Sequence, residues 1–182
     1  MRSFLFLTGA LCVPFMSIHA DLSVGHIYPI SFVDVDGNRL STADGRITVL
    51  VLTTTADAPK AQIVGDRVPD YCLGNPNYRM ITVVNLLKKR SSATRAIFRA
   101  SIRRRLDTEA RRLQTRYTAR KIAHDPRQDV FAVPDFDGEL VRQLGVPFEA
   151  ADFRVFVFGR KGELLREWKG VPTARELAAV VK

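Results

Sequence analysis

The sequence has 182 residues, of which 46% are hydrophobic and 26% are charged, and its formal net charge is +9. This length and hydrophobic content exclude an intrinsically disordered chain and predict one folded domain with its own core. The positive charge is concentrated in residues 88–121, where thirteen Lys and Arg side chains are accompanied only by Asp107 and Glu109. The excess charge therefore belongs to one element of the fold and not to the whole surface.

The first twenty residues have the pattern of an export signal. Arg2 precedes an apolar run over residues 4–16, and Ala20 provides a small residue for cleavage. The run is too short to span a bilayer, which takes about 20 apolar residues. We expect cleavage near Ala20 and a periplasmic or secreted protein; the alternative is an uncleaved N-terminal anchor. Cleavage removes Cys12 and leaves Cys72 as the sole cysteine, so no internal disulfide is expected.

The first half of the mature chain predicts a hairpin followed by a strand–helix–strand unit. Alternating residues 30–35 and the Asp36-Gly37 turn predict the hairpin. The run ITVLVLT at residues 47–53 is typical of a strand buried on both faces. Asp57 is placed to cap the helix that follows, and Pro59 falls in its first turn. A second buried strand is predicted over residues 79–87.

The second half predicts a long helix, a short strand–helix pair, and a hairpin with a final helix. The long helix covers residues 93–121 and carries a single apolar stripe, which consists of Phe98, Ile102, Leu106, Ala110, Leu113 and Tyr117. The later elements are a strand at 130–133, a helix at 137–144, hairpin strands at 153–158 and 163–168, and a helix that starts with a capping box from Thr173 to Glu176. This order predicts an α/β domain that mixes parallel and antiparallel strands.

Three stretches resemble the thioredoxin-like fold, in the branch of the TlpA-like, redoxin and peroxiredoxin-like proteins. They are PISFVDVDG at 29–37 with the first core strand, FAVPDFDGEL at 131–140 with QLGV at 143–146, and residues 154–162 with Trp168-Lys169-Gly170. The strand at 78–85 and the C-terminal hairpin are also similar to the YtfJ-like group of periplasmic proteins. The resemblance implies a three-layer α/β/α sandwich over residues 21–182, with a central mixed sheet, an N-terminal β-hairpin extension and a long basic helix.

Active members of this branch carry a C-x-x-C pair, or one peroxidatic cysteine, just after the first core strand. The helix amino end stabilises a thiolate there and lowers its pKa. In this sequence the corresponding residues are Asp57, Ala58, Pro59 and Lys60, in which Asp57 is able to form a salt bridge with Lys60. The proline that faces the cysteines is replaced too, by Ala151-Asp152-Phe153. The resemblance thus implies an exported, redox-inactive binding or interaction module with a degenerate active site and no cofactor.

Cys72 supports an alternative function, a residual thiol-disulfide oxidoreductase or peroxidase. The competing interpretation is a small buried hydrophobic residue, because free cysteine is often buried and no Lys, Arg or His is adjacent to lower its pKa. Arg154 matches an arginine that peroxiredoxin-like proteins carry near the thiol, and here we interpret it as a strand residue with a partner. His26 and His124 lack neighbours at metal-ligand spacing, so no metal site is expected.

The arginine-rich helix supports a third function, binding to an anionic surface. Its arginines form two rows at four-residue spacing, Arg95, Arg99 and Arg103, and then Arg112, Arg116 and Arg120. Lipid headgroups or an acidic envelope protein would suit such rows, whereas nucleic acid is disfavoured because no aromatic residues alternate with the arginines. The alternative interpretation is a solvated helix face whose apolar stripe packs on the sheet. The sequence does not determine the oligomeric state.

Overall fold

The computed structural model describes residues 21–86, 91–147 and 152–182. The predicted export signal at 1–20 therefore lies outside the described residues, as do 87–90 at the start of the basic segment and 148–151. Within the described part of the chain, no helix is both long and apolar enough to cross a membrane.

In the described ranges, seven strands and four α-helices follow one another in the predicted order. The strands are β1 (Ser31–Val33), β2 (Arg39–Ser41), β3 (Ile47–Thr54), β4 (Tyr78–Asn85), β5 (Val130–Asp135), β6 (Arg154–Phe158) and β7 (Leu164–Trp168). The helices are α1 (Ala58–Arg67), α2 (Ser92–Ala119), α3 (Glu139–Gln143) and α4 (Ala174–Val180). Short 3₁₀ turns cover Asp70–Cys72 and Pro126–Gln128.

Five of these strands form the central sheet, in the order β5-β4-β3-β6-β7. β3 is the middle strand: it pairs in parallel with β4 and antiparallel with β6, so the predicted mixed sheet is confirmed. Leu50, Val51 and Leu52 of β3 have no exposed surface, as expected for a strand covered on both sides. β1 and β2 form a separate two-stranded hairpin.

The helices and the hairpin cover the two faces of this sheet. On one face, Leu140 and Val141 of α3 pack together with hairpin residues against Leu50, Ile81 and Phe156. On the other face, α1 and α4 cover β3 and β6, while Ile102 and Leu106 of α2 pack against β5. Helices on both faces of one sheet make the three-layer sandwich that the resemblance implies.

Local signals account for most helix boundaries. Ser91 caps α2 by accepting a hydrogen bond from the Thr94 N–H group, and the predicted capping box of Thr173 and Glu176 is present at α4. α3 is shorter than the predicted 137–144 because Gly138 adopts a left-handed conformation (φ 69°), which delays the helix until Glu139. Five residues of the predicted stripe on α2 are buried, while Phe98 is half-buried.

β4 differs from its prediction in burial. The sequence suggested a strand buried on both faces, but only Arg79, Ile81, Val83 and Asn85 are buried. Tyr78, Met80, Thr82 and Val84, which alternate with them, are only half-buried. The face of β4 towards α1 and α2 is therefore incompletely covered.

Candidate functional site

The amino end of α1 follows the central strand directly, at the position where the resemblance implies cysteines. Asp57 occupies the N-cap position and Pro59 lies in the first turn, but the Asp57 side chain accepts no hydrogen bond from the helix backbone. The carboxylate thus does not cap α1, because Asp57 Oδ1 instead lies 2.7 Å from Lys60 Nζ. The ion pair with Lys60 is present as the sequence suggested.

This ion pair has none of the chemistry of a thiol pair. A carboxylate and an ammonium group have no sulfur to attack a disulfide or a peroxide. The Lys60 side chain is about half exposed, and ion pairs of that exposure contribute at most about 1 kcal/mol to stability. Lys60 Nζ also lies 5.9 Å from the centre of the Phe153 ring, which precedes β6.

Cys72 lies beyond the opposite end of α1. It ends the 3₁₀ turn that follows Pro69, so the whole of α1, about 15 Å long, separates it in the chain from Asp57. Its side chain packs with Ala61, Val64 and Val181 and is 9% exposed. Burial raises the pKa of the Cys72 thiol to about 11, so the neutral thiol predominates at physiological pH.

Arg154 has a partner within the sheet. Its Nη1 atom donates to Glu167 Oε1 of the neighbouring strand at 2.7 Å, and Asp21 Oδ1 lies 3.8 Å from the same nitrogen. Its buried Nε atom has no hydrogen-bond partner among the residues that the structure describes. Asp152 and Phe153 precede it as the sequence places them, while Ala151 lies outside the described residues.

The arginine rows of α2 are directed to groups within the chain. In the first row, Arg95 pairs with Asp137, Arg103 pairs with Asp36, and the Arg99 guanidinium lies 5.4 Å from the centre of the Phe136 ring. In the second row, Arg112 pairs with Asp66 at 2.6 Å, and Arg116 and Arg120 both pair with Asp70. These contacts fasten α2 to the hairpin, to the α3 region and to α1, and they partly neutralise its charge.

A cleft of about 800 Å³ separates α1 from α2 on the incompletely covered face of β4. We call it the α1–α2 cleft. Its floor is formed by the half-buried residues of β4, and its walls include Pro59, Gln62 and Gly65 of α1 and Ser101, Arg105 and Leu113 of α2. Cys72 also lines it. The sequence patterns did not predict this cleft. Their one signal for it is that Thr82 is polar among the otherwise largely apolar half-buried residues of β4.

Among the described residues, no group of three or more His, Cys, Asp or Glu side chains is arranged to hold a metal ion. His124 instead lies 3.2 Å from Asp129 through its Nε2 atom. The backbone has no cis peptide bond within the described ranges.

Comparison with known proteins gives likeness in structure only. No protein-family model matches the sequence, and no curated protein matches it. The solved structures that it resembles include a thiol:disulfide interchange protein of the thioredoxin family from Chlorobium tepidum, with a TM-score of 0.55 and 14% identity over 89% of this chain and 97% of that one. The pneumococcal exposed lipoprotein thioredoxin of Streptococcus pneumoniae has a TM-score of 0.51 and 14% identity, over 84% and 97%.

At such low identity these likenesses establish architecture and not activity. They extend over most of both chains, and in this chain that includes most of the five-stranded mixed sheet with helices on both of its faces. The chain has the thioredoxin-like fold.

Proposed function

We propose that this chain is an exported, redox-inactive protein of thioredoxin-like fold that acts as a binding or interaction module. The observation that carries the proposal is the amino end of α1, where Asp57 and Lys60 form an ion pair at 2.7 Å in place of sulfur. Thioredoxin chemistry needs a thiolate at that end of the helix. A fold kept without that thiolate is suited to holding a ligand or a partner.

The residual-enzyme alternative needs Cys72, and the surroundings of this thiol oppose it. With a pKa of about 11, roughly one thiol in ten thousand is ionised at pH 7. The side chain is also buried, so a disulfide substrate has little access to the sulfur. Both properties reduce the rate of nucleophilic attack.

The anionic-surface alternative is less well supported than an interaction through the fold itself. Five of the six arginines in the two rows have a carboxylate partner within the chain, and Arg99 lies over Phe136. These arginine side chains already have an anionic or aromatic partner, so they do not need an external anion. The rows therefore serve first to hold α2 in place.

Export is supported by the sequence of residues 1–20, and one structural neighbour is described as an exposed lipoprotein thioredoxin. In an oxidising compartment, a protein with one buried thiol avoids unwanted disulfide exchange. The absence of a second cysteine after residue 20 suits an exported chain that does no thiol chemistry.

The test compares the full chain with its Cys72→Ser variant in two assays, reduction of insulin by dithiothreitol and turnover of hydrogen peroxide. We expect both proteins to give the background rate in both assays, because the Cys72 thiol is buried and remains almost entirely neutral. An active thioredoxin is the positive control for insulin reduction, and an active peroxiredoxin is the positive control for peroxide turnover. Turnover by the full chain that is lost in Cys72→Ser would refute the proposal and support the residual enzyme.

A further inference from the structure

The α1–α2 cleft has the volume of a ligand site. Its volume of about 800 Å³ falls within the 300–1,000 Å³ that is usual for small-molecule pockets. Its floor runs along β4 from Tyr78 to Val84, six residue steps that span about 20 Å at the rise of a strand. A long, narrow molecule fits this shape better than a compact one.

The backbone around the cleft favours a hydrocarbon over a peptide. β4 is paired on one side with β3 and on the other with β5, so its N–H and C=O groups are already used in the sheet. α1 and α2 likewise satisfy most of their own backbone groups. An extended peptide on this floor would bury its own N–H and C=O groups without partners, which is costly, whereas an alkyl chain has no such groups.

The α2 wall of the cleft supplies positive charge that is not neutralised. Arg104 and Arg105 line the cleft and are exposed. Unlike five of the six arginines of the two rows, neither has a carboxylate partner among the described residues. An anionic head group at the rim would provide one.

We infer that the α1–α2 cleft binds one long-chain carboxylate, with its alkyl chain on the floor of β4 and its head group at Arg104 and Arg105. This inference rests on the proposed function only in taking the chain to be a binding protein. It adds the class of ligand, which is a monomeric aliphatic acid and not a membrane surface or a peptide.

The test measures equilibrium binding of radiolabelled palmitate to the delipidated full chain. Gly65 provides a matched pair of variants, because a Cβ atom at this position would lie 3.6 Å from Met80 Sδ in ordinary contact. Gly65→Ala therefore leaves the cleft open, whereas the longer side chain of Gly65→Leu enters it. Both replacements are better helix formers than glycine, and Ser101→Phe blocks the cleft independently from the α2 wall.

We expect saturable binding of about one palmitate per chain to the unaltered protein and to Gly65→Ala. Binding to Gly65→Leu and to Ser101→Phe should weaken at least tenfold. A melting temperature above the assay temperature shows that each variant is folded. No saturable binding to the unaltered protein, or full binding to both folded blocking variants, would overturn the inference. Tighter binding of a six-residue apolar peptide, or binding to anionic vesicles without binding of monomeric palmitate, would overturn it as well.

A second comparison tests whether Arg104 and Arg105 bind the carboxylate head group. Replacing Arg104 and Arg105 together by Ala should weaken palmitate several-fold and leave hexadecanol unchanged, because the alcohol carries no charge. Arg111→Ala is the control, since Arg111 lies outside the cleft and its Nε atom donates to the Asp107 carbonyl. Equal losses for palmitate and hexadecanol would contradict the assignment. None of these measurements depends on thiol turnover, so failure here is distinct from failure of the proposed function.

Discussion

Tyr117 joins the end of α2 to the turn that follows Cys72. Its side chain is fully buried, and its hydroxyl group donates to Asp129 Oδ2 and accepts from the Gly74 N–H group at 3.0 Å. Burial, together with the Asp129 carboxylate, raises the pKa of Tyr117 above its usual value, so the phenol stays protonated and keeps donating. One hydroxyl group thereby satisfies two groups that are distant in sequence.

Replacing this phenol tests the value of that contact. Tyr117→Phe should lower the free energy of unfolding by about 1–3 kcal/mol, since the Gly74 N–H group and the Asp129 carboxylate each lose a hydrogen bond. The free energy of unfolding is measured by urea denaturation, with circular dichroism as the readout. Tyr71→Phe is the matched control, because Tyr71 is half exposed, and it should change stability by no more than about 0.5 kcal/mol. Equal effects of the two substitutions would contradict this role for Tyr117.

At the scale of elements, α2 is held to α1 by arginine–carboxylate contacts at their neighbouring ends. Arg116 donates to Asp70 Oδ1 at 2.7 Å and to the Val68 carbonyl at 3.1 Å, and Arg120 pairs with the same carboxylate. The hydrogen bond from Arg116 is the main reason that the pKa of Asp70 falls below its usual value. The two helices are therefore joined beside Cys72 and separated by the cleft along β4.

This lowered pKa predicts an acid-dependent loss of stability. The unfolded chain binds the proton near pH 3.8, while folded Asp70 holds its charge to a lower pH. The contribution of Asp70 to stability is thus complete above pH 3.8 and is lost as the pH falls through the lower folded pKa. Asp70→Asn should reduce stability at pH 7 and flatten the decline below pH 4, as measured by urea denaturation across pH.

The matched control for this titration is Asp152→Asn, because Asp152 is exposed and forms no ion pair with the described residues. The control should follow the unaltered protein at every pH. An unchanged acid decline in Asp70→Asn would show that this carboxylate does not link the two helices.

For the whole molecule, the features that could be predicted from the sequence are those that depend on local residue patterns. The turn at Asp36-Gly37, the β-branched run of β3 and the capping box at Thr173 each depend on neighbouring residues. They were sufficient to predict the order of the elements and the mixed sheet. The position of Asp57 at the start of α1 followed from the same signals.

Contacts between residues far apart in the chain could not be predicted in this way. The carboxylate partner of Arg116 lies 46 positions earlier, so the arginine rows resembled a free basic surface. The half-buried face of β4 depends on the spacing of α1 and α2, which no local pattern specifies. The ion pair between Asp57 and Lys60 was foreseeable from their i, i+3 spacing. It was not foreseeable that the Asp57 carboxylate would form this ion pair and leave the backbone N–H groups of α1 uncapped.

The proposed redox inactivity requires that the Cys72 thiol be neither accessible nor ionised at neutral pH, and the pH dependence of Cys72 alkylation tests this most directly. Iodoacetamide is added to the native full chain at pH 6–12, and peptide mass spectrometry counts Cys72 separately from Cys12. We predict slow alkylation at pH 7 and a rate that rises towards a midpoint near pH 11, since burial disfavours the thiolate. Fast alkylation at neutral pH with a midpoint below 8 would contradict the account.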